Sequence, residues 1–96
     1  MNKHIELVKK HLADPSCVTE EELKANWEDA SYSASAAAAE AYRDGDDAAA
    51  DYAYYTYSAS AAAAGGYRAA ASYYIKRCEE LTNNKSLTDE ENDDEC

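Results

Sequence analysis

The sequence predicts an all-α fold: an antiparallel helical hairpin with a short N-terminal helix, expected to complete a bundle by dimerisation. Two long segments, 20–43 and 47–81, keep the 4-3 spacing of small and apolar residues that packed helices use. They share a near-identical repeat, YSASAAAAEAYR at 32–43 and YSASAAAAGGYR at 57–68. The loop around Gly45 is so short that the two helices must run antiparallel.

The first helix is predicted over residues 2–13. Asn2 is suited to cap its N-terminus, and three apolar residues spaced three or four apart define one face: Ile5, Val8 and Leu12. Pro15 predicts its end, because the residue before a proline avoids the helical region of backbone space.

The second helix has the strongest start signal in the chain. Thr19 and Glu22 form a capping box, and three consecutive glutamates favour the positive end of the helix dipole. Gly45 is predicted to end the helix and Asp46 to cap the next one. The packing seam of the second helix is predicted to consist of Leu23, Trp27, Ala30, Ala34, Ala37 and Ala41.

The repeat differs between its copies only where Glu40-Ala41 is replaced by Gly65-Gly66. Each glycine costs a helix about 1 kcal/mol relative to alanine, so the pair needs a physical reason. One hypothesis is that the glycines leave room for the Trp27 indole across the hairpin; the other is a kink in the third helix. The residues predicted to pack or to form a dimer face are Trp27, Tyr52, Gly65, Gly66, Tyr67 and Tyr74.

Residues 1–82 are predicted to form a single helical domain, and residues 83–96 a disordered acidic tail. The few aliphatic side chains are expected to gather at the end of the hairpin away from Gly45. The opposite end would then hold only alanine, tyrosine, serine and acidic residues.

The formal net charge of −11 disfavours direct nucleic-acid binding, which needs clustered lysine and arginine. The longest uncharged run is too rich in serine and tyrosine to span a bilayer, so no membrane association is expected. Three cysteines without paired spacing fit a reducing compartment, and a cytoplasmic location is predicted.

No catalytic motif accompanies the repeat, and the chain is predicted not to be an enzyme. The serines lie in alanine-rich helix without a neighbouring histidine to activate them. A zinc site is conceivable at the end of the hairpin that holds His4, His11, Cys17 and Cys78, but packing or solvent-exposed histidines are the preferred interpretation. No metal or cofactor is therefore predicted.

The acidic residues beside the repeat are the candidate partner-binding site. Asp47, Asp51 and Tyr54 follow i, i+4, i+7 spacing on one stripe, and tyrosine beside aspartate is typical of interfaces. The predicted partner-binding residues are Glu28, Asp29, Asp44, Asp46, Asp47, Asp51, Tyr54 and Tyr55. An ordinary solvent-exposed face is the alternative.

The segments YSASAAAAEAYR, DDAAADYAYY and YSASAAAAGGYRAAASYY have an Ala/Tyr/Asp-rich texture that resembles small orphan proteins of bacteriophages. Size and acidity are also similar to anti-CRISPR and DNA-mimic anti-restriction proteins. The resemblance implies a small factor in the host cytoplasm that inhibits or modulates a host protein, such as a defence nuclease with a basic groove. The alternatives are a self-assembling structural module and an immunity or antitoxin-like binding protein.

Overall fold

The computed structural model describes residues 2–82, and the predicted acidic tail lies outside them. The elements in chain order are α1 (Lys3–Ala13), a 3-10 turn (Pro15–Cys17), α2 (Glu20–Asp44), α3 (Asp47–Ala64) and α4 (Arg68–Thr82). Within this part of the chain the structure is all-α, as the sequence predicts.

The predicted helix ends are confirmed at α1 and α2. The side chain of Asn2 accepts a hydrogen bond from the Ile5 backbone N–H at 2.9 Å. The Thr19 hydroxyl accepts from the Glu22 N–H at 3.0 Å, while the Thr19 N–H donates to the Glu22 carboxylate at 2.9 Å. α2 ends at Gly45, whose φ of 73° is the left-handed conformation that glycine adopts without strain.

The single third helix predicted over 47–81 is wrong, because the chain breaks at Gly65-Gly66. Gly66 has a φ of 84°, a left-handed conformation that cannot continue a right-handed helix. The chain therefore reverses, and α4 packs antiparallel on α3: the rings of Tyr55 and Tyr74 lie 5.9 Å apart. The result is a small bundle with α3 in its middle, contacted by all three other helices.

The hypothesis that the glycines leave room for Trp27 is also wrong. A side-chain carbon built on Gly66 would meet nothing within 4 Å, and one built on Gly65 would lie 3.1 Å from the ring of Tyr67. The glycines thus accommodate the chain reversal and the Tyr67 ring that follows it. Trp27 instead lies beside Tyr57, on the open surface of the hairpin.

The predicted packing seam of α2 is wrong at Trp27 and at Ala37. Asn26, and not Trp27, is the residue that α2 buries between Leu23 and Ala30. Trp27 is 36% exposed, and Ala37 is also exposed. The buried amide is tolerated because Asn26 Nδ2 donates to the Ser60 hydroxyl at 3.4 Å, which satisfies part of its hydrogen-bonding capacity.

The aliphatic core lies at the end away from Gly45, as predicted. It is built by Ile5, Val8, Val18, Leu23 and Ile75 together with small residues of α3 and α4: Ala59, Ala62, Ala63, Ala71 and Cys78. A salt bridge of 2.9 Å joins Lys9 of α1 to Glu79 of α4, and both side chains are only 11% exposed. The hydrophobic core and this ion pair fix α1 across α2, α3 and α4.

Cys78 provides a chemical test of this packing. It is fully buried, and burial raises the pKa of its thiol to about 11. We expect iodoacetamide to label Cys78 about a hundredfold or more slower at pH 8 in the native protein than in denaturant, because labelling requires opening of the bundle.

Peptide mapping by mass spectrometry would assign the label to Cys78. Folding raises the pKa of the Cys78 thiol. The neutral thiol therefore makes its full contribution to stability at pH values below the thiol pKa of the unfolded chain, and this contribution is lost as the pH rises towards 11. Equal labelling rates in native and denatured protein would contradict the packing of α4 described above.

Candidate functional site

An open groove runs between α2 and α3 in the half of the hairpin nearest Gly45. Its volume is about 410 Å³. Alanines from both helices form its floor: Ala34, Ala37, Ala41, Ala49 and Ala53. Carboxylates of Glu40, Asp44 and Asp46 lie along its rim, and we call this feature the acid-rimmed groove.

The N-terminus of α1 closes the groove at the other end. Asn2 Nδ2 donates to the Tyr52 hydroxyl at 2.8 Å and to the Thr56 hydroxyl at 3.2 Å. Beyond this point the side of the hairpin is occupied by α1, so that α1 and the acid-rimmed groove lie end to end. Tyr52, predicted as a packing or dimer residue, packs inside its own chain, and burial raises the pKa of its phenol.

α1 shows which kind of helix can pack on this side of the hairpin. It is amphipathic, with buried Ile5 and Val8 facing the core. Its first turn is held by Asp29 of α2, which lies 3.4 Å from the Lys3 ammonium and 2.9 Å from His4 Nε2. The hydrogen bond with His4 and the one with Lys3 hold the pKa of the Asp29 carboxyl below its usual value. A basic helix is therefore bound here by an acidic one.

The acids on the rim differ from Asp29 in having no cationic partner within residues 2–82. Among residues 2–82 the side chains of Glu40 and Asp44 make neither a salt bridge nor a hydrogen bond. Asp46 uses one oxygen to cap α3 through the Ala49 N–H at 3.1 Å. The groove therefore combines an apolar floor with uncompensated negative charge.

The structure divides the predicted partner-binding residues into separate groups. Asp44 and Asp46 lie on the groove, but Asp29 is occupied by α1. Tyr55 is half-buried against α4, with the Arg77 guanidinium 5.4 Å from its ring centre. Three further residues are exposed elsewhere on the hairpin: Glu28, Asp47 and Asp51.

Glu40 is the groove residue that the sequence analysis missed. It precedes Asp44 by four residues, so the two side chains share one face of α2. That spacing was the available signal. The repeat obscures it, because a serine-alanine surface is typical of helix packing and not of a charged site.

The hairpin has a second open side, across the α2–α3 seam from the groove. One pocket of about 310 Å³ is lined by Ser31, Ala34, Ser35, Ala38, Tyr42, Ala50, Tyr54 and Tyr57. A neighbouring pocket of about 520 Å³ adds Trp27, Glu28 and Tyr32. We call these two pockets together the aromatic face. Of the predicted residues, it contains Trp27, Glu28 and Tyr54.

No group of three or more metal-ligating side chains within residues 2–82 could hold a metal ion. His4, which the conceivable zinc site would need, is instead paired with Asp29. Over the same residues no helix combines the length and apolar character that crossing a bilayer requires. The cytoplasmic location stays a prediction.

Comparison with protein-family models, with curated proteins and with solved structures finds no match to this chain. Any assignment of function must therefore come from the surfaces of the hairpin.

Proposed function

We propose that the protein is a small binding module that captures a basic, amphipathic helical segment of a partner protein in the acid-rimmed groove. The observation that carries the proposal is the unpaired carboxylate rim of Glu40 and Asp44 along an alanine floor. Buried apolar contact on the floor would supply affinity, and the rim would select positive charge.

The groove has the dimensions of a short helix. From Asp46 to Thr56 it follows ten residues of α3, about 15 Å at the helical rise, which corresponds to roughly three turns of a bound helix. The alanines allow close approach of helix backbones, as small residues do wherever helices pack tightly. The partner segment is therefore expected to place small apolar residues on one face and lysine or arginine beside them.

Such a module fits the role implied by the resemblance to phage proteins. A stoichiometric binder of a basic segment can inhibit a host protein without any chemistry of its own, by covering a surface that the host protein needs. The acids of the groove would replace the phosphates or carboxylates that normally meet that surface.

The proposal is tested by neutralising the rim with the double variant Glu40→Gln, Asp44→Asn. As a probe we choose a synthetic 14-residue helical peptide with lysines on one face and alanine and leucine on the other. We expect the dissociation constant to rise about tenfold or more in the variant, since two close charge contacts are lost. Titration followed by amide chemical shifts would measure it and locate the peptide.

The matched control is Glu20→Gln, Glu21→Gln, which removes the same charge from the exposed first turn of α2. This control should change the dissociation constant of the peptide by no more than about twofold, because these acids are remote from the groove and screened by salt. A peptide with glutamate in place of lysine should not bind. Equal weakening by the two double variants would show that binding follows net charge alone and would refute the groove as the site.

A further inference from the structure

The two copies of the repeat are used differently in the fold. In α3 the segment 57–64 is largely buried, whereas in α2 the identical segment 32–39 is largely exposed. The contrast is sharpest at three equivalent positions: Ser60 is 0% exposed but Ser35 is exposed, Ala62 is 9% exposed but Ala37 is exposed, and Ala63 is 3% exposed but Ala38 is half-buried. One amino-acid sequence thus forms a covered helix surface and an uncovered one.

The covering of the α3 copy shows what this surface packs against. α1 and α4 both lie over it. Asn2 bonds to Thr56, and Asn26 Nδ2 lies 3.4 Å from both the Ser60 hydroxyl and the His4 carbonyl oxygen. The Cys78 thiol of α4 lies 3.8 Å from the Thr56 hydroxyl. Ala63 belongs to the same core cluster as Ile5 and Val8 of α1. On α3, the serine-alanine stripe is a helix-docking surface.

The equivalent stripe on α2 lies on the aromatic face. Counting back 25 residues, Thr56, Ser60 and Ala63 become Ser31, Ser35 and Ala38. All three line the open pocket of about 310 Å³ on that face. α2 and α3 therefore present this stripe to opposite sides of the hairpin: Thr56 lies on the side that carries α1, and its counterpart Ser31 lies on the aromatic face. α1 and α4 cover the stripe on α3, and within residues 2–82 nothing covers its counterpart on α2.

We propose that a second copy of this chain covers the aromatic face, with α2 of one copy packed against α2 of the other about a two-fold axis near Ser35. The low charge of the aromatic face favours a second copy as the molecule that covers it. All eight residues that line the 310 Å³ pocket are uncharged, and the aromatic face as a whole carries one acidic side chain, Glu28, in a chain of net charge −11. Two such acidic chains approach each other with least repulsion where their surfaces carry little charge.

The exposed rings of this face supply the area that association needs. Tyr32 is 80% exposed, Tyr42 70% and Tyr54 58%, and Trp27 is 36% exposed. With 150–250 Å² for a buried aromatic side chain, these four rings offer roughly 400–600 Å² per copy, to which the serines and alanines of the stripe add. The total approaches the roughly 800 Å² per partner of a standard interface. Trp and Tyr are also the residues that contribute most at such interfaces.

Each copy would present its aromatic face and not its α1. Ile5 and Val8 are fully buried in their own core, so α1 cannot dock on a neighbour without leaving its own hairpin. Rings of one copy would instead fill the serine-alanine pockets of the other. This inference is independent of the acid-rimmed groove, which lies across the α2–α3 seam and stays open in the dimer.

The test is sedimentation equilibrium of the full chain over about 10 to 500 μM protein, at low and high salt. We expect a dimer whose dissociation constant decreases as salt rises from 50 to 500 mM, because screening weakens the repulsion between two acidic chains. Binding of a basic partner in the groove would show the opposite salt dependence. The two proposals can therefore fail separately.

Two neighbouring substitutions locate the interface. Ser35→Glu places a carboxylate next to the two-fold axis, where it meets its copy, and should weaken the dimer more than tenfold. Ala36→Glu adds the same charge to an exposed position that lines neither open side of the hairpin, and should leave the dissociation constant within about twofold. Because both residues are exposed, circular dichroism should show unchanged helicity in both variants.

Trp27 provides a second readout that needs no variant. It is the only tryptophan and lies on the aromatic face, so its fluorescence should become less accessible to acrylamide as the chain dimerises. A chain that stays monomeric throughout overturns the proposal, as does a dimer weakened equally by both glutamates. A monomer that binds the lysine-alanine probe peptide through Ser35 would assign the face to a basic helix instead of a second copy.

Discussion

Replacing Ile5 by alanine should lower the free energy of unfolding by about 2–5 kcal/mol. Ile5 is fully buried, and α1 fills the space between α2, α3 and α4. The lost side chain leaves a cavity, because the alanines of α3 that face it are too short to close the space. A domain of this size is stable by only about 5–15 kcal/mol, so the variant would lose a large share of its stability. Denaturant titration followed by circular dichroism measures the change.

Leu7→Ala is the matched control, since it removes a side chain of similar size from the same helix. Leu7 is only partly buried against the core, so its loss should cost clearly less than that of Ile5. A cost below about 1 kcal/mol for Ile5→Ala would mean that α1 contributes little to the fold. The occupied docking surface on α3, on which the dimer proposal depends, would then be in doubt.

The helix ends were predictable because they follow from local chemistry. The capping box at Thr19, the left-handed Gly45 and the caps of Asn2 and Asp46 each involve residues within four positions of one another. Such interactions satisfy backbone groups that would otherwise lack partners, and they need no tertiary structure to be recognised. The gathering of the aliphatic side chains was predictable for a different reason: they are few and lie at one end of the hairpin.

The choice between Asn26 and Trp27 was not predictable from spacing. Both lie within one residue of the 4-3 register, and apolar character favoured Trp27. In the structure α1 passes next to this point of α2, so Asn26 Nδ2 lies 3.4 Å from the His4 carbonyl oxygen. A polar contact with α1 therefore determines that Asn26 is buried, at a point where the pattern of two packed helices predicted the Trp27 indole.

The break at Gly66 also depends on tertiary contacts. The 4-3 spacing continues through the glycines, so a straight helix and a broken one fitted the sequence equally well. Only the broken form returns Ile75 and Cys78 to the core that holds Ile5 and Val8. A straight helix would have carried both beyond the end of α2, and the burial gained by the reversal outweighs the hydrogen bonds lost at the turn.

The acids of the candidate site could be read from the sequence, but their grouping could not. Because the repeat gives α2 and α3 the same surface, the sequence does not determine which side of the hairpin α1 covers. Once α1 occupies one side, Asp29 is paired with it, whereas Asp44 has no ion-pair partner in the described part of the chain. The difference between a structural acid and a candidate binding acid is thus set by the position of a third helix.

The same leucine substitution in the two repeat copies should have very different effects. Ala63→Leu is expected to lower the free energy of unfolding by about 1–3 kcal/mol, because the added methyl groups enter a core that is already filled by α1 and α4. Ala38→Leu should change it by no more than about 0.5 kcal/mol, since Ala38 lines the open pocket of the aromatic face. Each variant is the control for the other, because the substitution is the same and the residues directly before and after it are alanines in both copies.

Denaturant titrations at low protein concentration would compare the two variants as monomers. Equal destabilisation would show that 32–39 is covered inside the monomer, and the unfilled docking surface would not exist. If only Ala63→Leu is costly, the repeat is one surface used twice: once for α1 and α4, and once for a helix that residues 2–82 of a single chain do not supply. At high concentration Ala38→Leu should then alter the dimerisation constant, and Ala63→Leu should act through folding alone.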